Sequence, residues 1–251
     1  MKAIILAAGQ GTRLRPLTED RPKCMGEFNG KAIIDYIIEN MHCAEISNIH
    51  IVTGYKNEVL KAHLADEERL TFHLNKEYNS TNMLYSLWCA SSEFNDDVII
   101  SYSDIIYSNS ILQKLVDCKA EIAITIDKDW RKLWELRMEN PLSDAESLIL
   151  DENKHVMEIG KKTDSYYKIQ GQYMGLIKIT KNAWKKVAEI YNAIPNTRNM
   201  CMTDFLQELV NKGVAVTAVP VHGGWIEIDS IRDLENYKNL FLFPSFKQLF
   251  L

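Results

Sequence analysis

"KAIILAAGQGTRLRPLTEDRPK", residues 2–23, opens as an apolar strand and turns abruptly into glycine, cations and proline. Gly9 and Gly11 let backbone N–H groups come close to phosphate oxygens, because no side chain stands between. Arg13 adds a guanidinium fork and Lys23 a mobile point charge, the two kinds of cation that polyphosphate recognition uses. The spacing is not G-x-x-x-x-G-K-[ST], so the stretch is no P-loop, and the third glycine of a dinucleotide fingerprint is missing. The plainer alternative is a glycine-rich connection between a strand and a helix, carrying solvated cations.

Working outward, strands and helices alternate. "KAIIDYIIENMHCAEI" carries Ile33, Ile34, Ile37, Ile38 and Met41 at helical spacing. "NIHIVTGY" and "LTFHLN" read as strands, "KNEVLKAHLAD" and "NMLYSLWCASSEF" as helices, and "DVIISYSD" as the most apolar strand, suited to a sheet centre. Strands separated by single helices imply right-handed crossovers and a doubly wound, mostly parallel α/β sheet. Ligands of such sheets sit beyond the carboxyl ends of the strands, where the glycine turn and Asp104 fall.

After residue 128 the rhythm changes. "DWRKLWELRMENPLSDAE", residues 129–146, is dense in charge and aromatics. The strands "SLILD", "VMEIGKK", "GQYMGLIKIT" and "VAVTAVPV" follow, with two helices among them. One domain over 1–251 is expected. A nucleotide-binding lobe covers 1–128, an acceptor-binding lobe built onto the same sheet covers 129–238, and an apolar tail covers 239–251. Phe241, Phe243, Phe246 and Phe250 crowd that tail and suggest a homodimer contact or a latch on the sheet.

Composition narrows the function classes. The 251 residues are 46% hydrophobic and carry a net charge of -5, so the chain has no global attraction to nucleic acid or anionic membranes. No run approaches the ~18 apolar residues of a membrane span, and "KAIILAAG" is too short for a signal peptide. Five scattered cysteines without a C-x-x-C pair point to a reducing cytoplasm rather than to disulfides or zinc. His50, His73, His155 and His222 show no ligand spacing.

The opening stretch resembles the signature of nucleotidyltransferases that couple an NTP to a phosphorylated sugar, alcohol or amine. Their pattern L-A-A-G-x-G-[ST]-R-x-x-P-L-T-x-x-x-P-K is matched without a gap over residues 6–23. The resemblance implies a Rossmann-like, GT-A-like sheet, an NTP over the first loop, and pyrophosphate release. By it, Arg13 and Lys23 bind the triphosphate and the incoming phosphate. Leu6, Ala7, Ala8, Gly9, Gly11, Thr12 and Ser103 then surround the nucleotide. "YNSTNMLYSL", residues 78–87, is similar to the branch that includes phosphoglutamine, phosphocholine and 2-aminoethylphosphonate cytidylyltransferases. It makes Asn82 and Ser86 candidates to touch the base or substrate; an N-cap is the alternative for Asn82, and a locally bonded helix hydroxyl explains Ser86 equally well.

Two aspartates match the family's metal positions: Asp104 in "ISYSDIIYS" and Asp229 in "GWIEIDSIRDL". Mg²⁺ takes one or two protein carboxylates beside phosphates and water, and a helix N-cap is the alternative for each aspartate. In "EIGKKTDSYYKIQGQYMG", Glu158 and Lys161 fall where relatives bear on the acceptor's phosphate, with Lys162 as a rival. Arg131 and Arg137, among Asp129, Glu135, Glu139, Asp144 and Glu146, suit a zwitterionic acceptor. Trp130, Trp134, Tyr173 and Trp225 could ring an ammonium.

The chemistry so implied is attack of a phosphate oxygen on the α-phosphorus of CTP. That oxygen is already anionic, so positioning and charge neutralisation do the catalysis and no general base is needed. Phosphoglutamine is the favoured acceptor. Phosphocholine, 2-aminoethylphosphonate, a sugar 1-phosphate, or a catalytically silent nucleotide sensor are the alternatives.

Overall fold

The structure, a computed structural model, describes residues 1–240. The expectation placed on Phe241, Phe243, Phe246 and Phe250 lies outside the described residues.

The chain begins with β1 (Lys2–Ala7), the short hairpin β2 (Glu27–Phe28) and β3 (Lys31–Ala32), and α1 (Ile33–Cys43). It continues through β4 (Ile49–Thr53), α2 (Asn57–His63), β5 (Leu70–Leu74) and α3 (Met83–Trp88). The middle holds β6 (Val98–Tyr102), β7 (Ile105–Tyr107), α4 (Asn109–Asp117), β8 (Ile122–Asp127) and α5 (Trp130–Arg137). The last part comprises β9 (Glu146–Leu150), β10 (Val156–Lys162), β11 (Gln172–Ile179), α6 (Trp184–Ala193), α7 (Met202–Asn211), β12 (Thr217–Val221), β13 (Trp225–Glu227) and α8 (Ile231–Leu240).

Seven strands form one sheet in the order β12-β8-β11-β6-β1-β4-β5. All neighbours are parallel except β11, which runs antiparallel to both β6 and β8. β8, β11 and β12 therefore extend the sheet of β1, β4, β5 and β6 rather than starting a second one. The α1 isoleucines and Met41 are all buried against one face, as their spacing requires. A second apolar layer, from Leu84 and Leu87 to Trp184 and Phe205, covers the other face. α3 is shorter than the sequence pattern suggests. It stops at Trp88, and a single 3-10 turn over Ser91–Glu93 replaces its last part.

One irregularity shapes the site. The register of β11 against β8 shifts between Tyr173 and Ile177, and Gly175 there has φ +87°. A Cβ on Gly175 would lie 2.7 Å from the ring of Tyr102 on β6, so only glycine lets β11 and β6 approach so closely here.

Candidate active site

The signature stretch wraps over the carboxyl end of β1. Gly11 sits at φ +65°, and a Cβ on it would lie 2.9 Å from the Cβ of Lys23. Thr18, fully buried, donates its hydroxyl to the Gly11 carbonyl at 2.7 Å. The Lys23 amide reaches back to the Gly9 carbonyl at 3.3 Å. The loop thus closes on itself and directs Lys23 inward. Arg13 stays largely exposed, with its guanidinium on Asp229.

Asp104 and Asp229 are far apart in sequence but adjacent in space, for a local reason. β7 follows Asp104, β13 precedes Asp229, and the two strands pair antiparallel with Ile105 opposite Glu227. The Ile228 amide also donates to the Asp104 carbonyl at 2.8 Å. Lys23 Nζ bridges the two carboxylates, 2.7 Å from Asp104 Oδ2 and 2.6 Å from Asp229 Oδ1. Burial opposes the charge on Lys23, but Asp104, Asp229 and Glu227 outweigh it and raise its pKa.

Behind this knot lies a second tier. Asp233 Oδ2 accepts from the Asp229 and Ser230 amides at 3.0 and 2.9 Å and caps α8. Arg137 donates to Asp233 Oδ1 at 3.2 Å and also pairs with Glu227. Burial, with Asp104 and Asp229 nearby, pushes Glu227 up to about 7 against the opposing pull of Arg137.

The donor set fits a hard divalent cation. The two carboxylates already hold one cationic group between them, and Asp104 Oδ1 is buried without a hydrogen-bond partner. A buried carboxylate oxygen left unpaired is costly unless something positive meets it. Oxygen ligands of this kind suit Mg²⁺ better than a softer metal.

Two cavities flank the knot. The first, about 220 Å³, is lined by Leu6, Ala8, Gly9, Lys23, Thr81, Asn82, Ser86, Ser103 and Asp104, with Tyr78, Met83 and Tyr102 completing it. Most residues expected around a nucleotide meet there. Asn82 also caps α3, its side chain accepting from the Met83 amide at 2.7 Å, so the cap role and a place on the pocket wall coexist.

The second cavity, about 230 Å³, shares Met83 and Tyr102 with the first. Trp134, Tyr173 and Trp225 supply rings, Asp144, Glu146 and Glu227 carboxylates, and Gln172, Cys201 and Thr203 further polar atoms. No arginine or lysine lines it among the described residues. Burial raises the Glu146 carboxyl, only partly offset by Thr203. The back of the wall is braced by Asp127, whose Oδ2 accepts from Trp225 Nε1 at 2.9 Å and whose Oδ1 accepts from the Gly223 amide.

Five residues expected at the acceptor lie elsewhere. Arg137 is buried behind Glu227, engaged with Asp233 and packed on Trp134, because an arginine pointing inward here must neutralise two acids. Arg131 is exposed, paired with Glu135 at 2.7 Å and lying over the Tyr166 ring. Lys161 and Glu158 pair with each other at 2.6 Å on β10, where a register shift between Ile159 and Lys162, with Gly160 at φ +84°, breaks the strand alternation that would otherwise turn them to opposite faces. Trp130 packs against Trp134 as a second layer.

The sequence reading passed over Glu227, Gln172, Thr203 and Met174. Glu227 had a usable signal, since it lies two residues before Asp229, at strand alternation. The histidine expectation also needs correction. His50 on β4 and His73 on β5 meet at 3.1 Å, with Glu93 3.4 Å from His50, because adjacent strands bring distant residues together. Lys2 also bonds Glu93 at 2.8 Å. All five cysteines are free, and no helix among the described residues is long and apolar enough to cross a membrane.

The nucleotidyl transferase family profile matches residues 2–132. A CTP:phosphoglutamine cytidylyltransferase of Campylobacter jejuni subsp. jejuni serotype O:2 is 44% identical over 249 residues, 94% of this chain and 98% of that protein. The choline-phosphate cytidylyltransferase of Streptococcus pneumoniae is 38% identical over 109 residues, covering 43% of this chain and 47% of its own. The solved inositol-1-phosphate CTP transferase from T. maritima superimposes with a TM-score of 0.79 at 24% identity, covering 100% of this chain and 97% of that one, and so shares the fold. With that profile and a relative similar across nearly its whole length, the chain belongs to the nucleotidyl transferase family.

Proposed function

We propose that the protein is a Mg²⁺-dependent cytidylyltransferase that joins CMP from CTP to phosphoglutamine and releases pyrophosphate. The observation that carries this reading is the pair of cavities meeting at one wall beside the Lys23–Asp104–Asp229 knot. One cavity has polar edges and an open glycine turn for a nucleotide. The other has rings and carboxylates for a small amine. The acceptor's identity leans on the 44% identical relative.

The chain's own residues account for the chemistry. Lys23 and Arg13 neutralise phosphate oxygens and hold the α-phosphorus in line with the acceptor's phosphate. The attacking oxygen is already anionic, so no histidine or carboxylate base has to act. A metal bound at Asp104 and Asp229 would add Lewis-acid stabilisation of the charge on the phosphates. The acceptor's ammonium would rest among Asp144, Glu146 and Glu227, against Trp134 and Trp225. Met83 and Tyr102, common to both cavities, separate nucleoside from amine.

A second acceptor, choline phosphate, is favoured by one specific observation. The second cavity has four rings and three carboxylates but no lysine or arginine among its described lining, which suits a quaternary ammonium better than an amino acid's carboxylate. A screen of CTP, UTP, dTTP and ATP against phosphoglutamine, choline phosphate, 2-aminoethylphosphonate and sugar 1-phosphates, read by pyrophosphate release, separates these. Turnover with CTP and phosphoglutamine above all other pairs is expected. Turnover confined to a sugar 1-phosphate would refute the reading, and no pyrophosphate from any pair would favour a silent sensor.

A further inference from the structure

His50, His73 and Glu93 are brought together by the sheet. On β4 His50 lies two residues before Val52, and Val52 is paired with His73 on β5, so both imidazoles stand on one face. Glu93 closes the cluster from the 3-10 turn before β6. Each of the three brings a ligand atom to within 4.8 Å of the other two. None of them lines either cavity.

His50 is 3% exposed and turns one nitrogen towards each neighbour. Nδ1 stands 3.1 Å from His73 Nε2 and finds its hydrogen bond there. Nε2 stands 3.4 Å from Glu93 Oε2, yet it is buried and has no hydrogen-bond partner. Neither tautomer of a neutral ring suits that place. As an N–H, Nε2 donates to nothing in good geometry. As a lone pair it faces a carboxylate, and two acceptors repel. A positive charge between the nitrogen and the carboxylate removes the conflict. Protonation of the ring is disfavoured, because burial pushes His50 and His73 below the usual imidazole range, with Lys2 reinforcing and Glu93 opposing. Neutral imidazole is the form that binds metal.

We infer that His50, His73 and Glu93 bind a divalent transition metal of the Zn²⁺ class, which ties β4, β5 and the turn before β6 together. Two imidazoles with one carboxylate suit Zn²⁺ and not Mg²⁺, which takes oxygen ligands. Ligands held about 2.0–2.1 Å from a tetrahedral Zn²⁺ stand roughly 3.3 Å apart, close to the 3.4 Å between His50 Nε2 and Glu93 Oε2. His73 and Glu93 are only partly buried, which leaves a way in and room for water as a fourth ligand. One group opposes the metal. Lys2 Nζ sits 2.8 Å from Glu93 Oε2 and equally near Asn95 Oδ1, so Asn95 keeps the ammonium when metal takes the carboxylate. The inference does not depend on the CTP reading, which the pyrophosphate screen tests by itself.

Metal binding to the full-length chain tests it, with excess Mg²⁺ present throughout to occupy oxygen-only sites. Co²⁺ should give the strong visible absorption of a four-coordinate ion, and Zn²⁺ should displace it. His73→Gln should lose that absorption and weaken Zn²⁺ binding, measured by calorimetry, by at least the roughly 10–100-fold that loss of even an outer-shell partner costs. Lys2→Met removes the competing cation and should tighten Zn²⁺ about tenfold. No four-coordinate absorption in the wild type, or absorption undiminished in His73→Gln, would overturn the inference and leave the two rings as ordinary packing. An unchanged Zn²⁺ affinity in Lys2→Met would also overturn it, since the metal would then not touch Glu93. Should His73→Gln not fold, Glu93→Gln is read by the same absorption, and its survival again counts against the site.

Discussion

The nucleotide cavity and the acceptor cavity lie side by side yet are built in different ways. The first draws its chemistry from contiguous stretches: Leu6 to Lys23, Thr81 to Ser86, and Tyr102 to Asp104. The second is assembled from α5, the turn before β9, β11, the start of α7 and β13. A contiguous stretch preserves its geometry wherever the fold carries it. A wall made of several elements exists only after the sheet has formed, and its polar groups need braces. Arg137 and Asp127 are those braces, joining α5 to α8 and β8 to β13. The contrast predicts that damage on the nucleotide side appears in the rate, and damage on the acceptor side in stability or acceptor affinity.

The largest effects should fall on the shared knot. Asp104→Ala and Asp229→Ala should each abolish turnover while melting near the wild-type temperature, since each removes a ligand rather than core volume. Lys23→Ala should lower kcat by ~10²-fold or more, the scale of one preorganised charge at a transition state. Near-normal rates at limiting Mg²⁺ would erase the distinction between the two sides.

The two arginines of the acceptor lobe separate bracing from surface charge. Arg137→Met leaves Glu227 and Asp233 buried without their cation and should cost about 3–5 kcal/mol in urea unfolding. Arg131→Ala breaks only an exposed pair and should cost under ~1 kcal/mol. Equal losses would mean that the bracing account is wrong.

A smaller effect tests the wall itself. Asp127→Asn disturbs the bonds to Trp225 Nε1 and the Gly223 amide. The acceptor KM should rise about tenfold, in line with one lost buried hydrogen bond, while the CTP KM stays unchanged. A parallel rise in both would show that Asp127 supports the fold in general.

The smallest expected effect is a pH dependence at Glu146. Burial raises its folded-state pKa above the unfolded value. The folded protein therefore holds that proton more tightly, and this contribution to stability is present at acid pH and lost as pH rises through the raised pKa. Glu146→Gln should stabilise slightly at neutral pH, with the advantage vanishing in acid. For an ammonium acceptor the sign reverses. Affinity should grow as pH rises through the same pKa, and a flat acceptor KM between about pH 4 and 8 would remove Glu146 from the site.

Residues such as Lys23 and Asp104 were legible because each sits beside a turn or a strand end whose shape its neighbours dictate. Asp229 could be matched to Asp104 because both follow that rule. β11 was readable as a strand, but its antiparallel insertion between β6 and β8 was not, because nothing in a strand's own residues names its partners. Arg137 shows the limit most clearly. Its position among acids suggested an acceptor contact, yet burial turned it inward to pair with Glu227 and Asp233.

The most direct test of the central claim follows the α-phosphorus. Wild-type protein is incubated with Mg²⁺, phosphoglutamine and CTP labelled at either the α- or the γ-phosphorus. The account predicts that the α-label passes to the acceptor product and the γ-label leaves as pyrophosphate, with neither transfer in Asp104→Ala. A γ-label on the acceptor, or α-label transfer that survives Asp104→Ala, would contradict it.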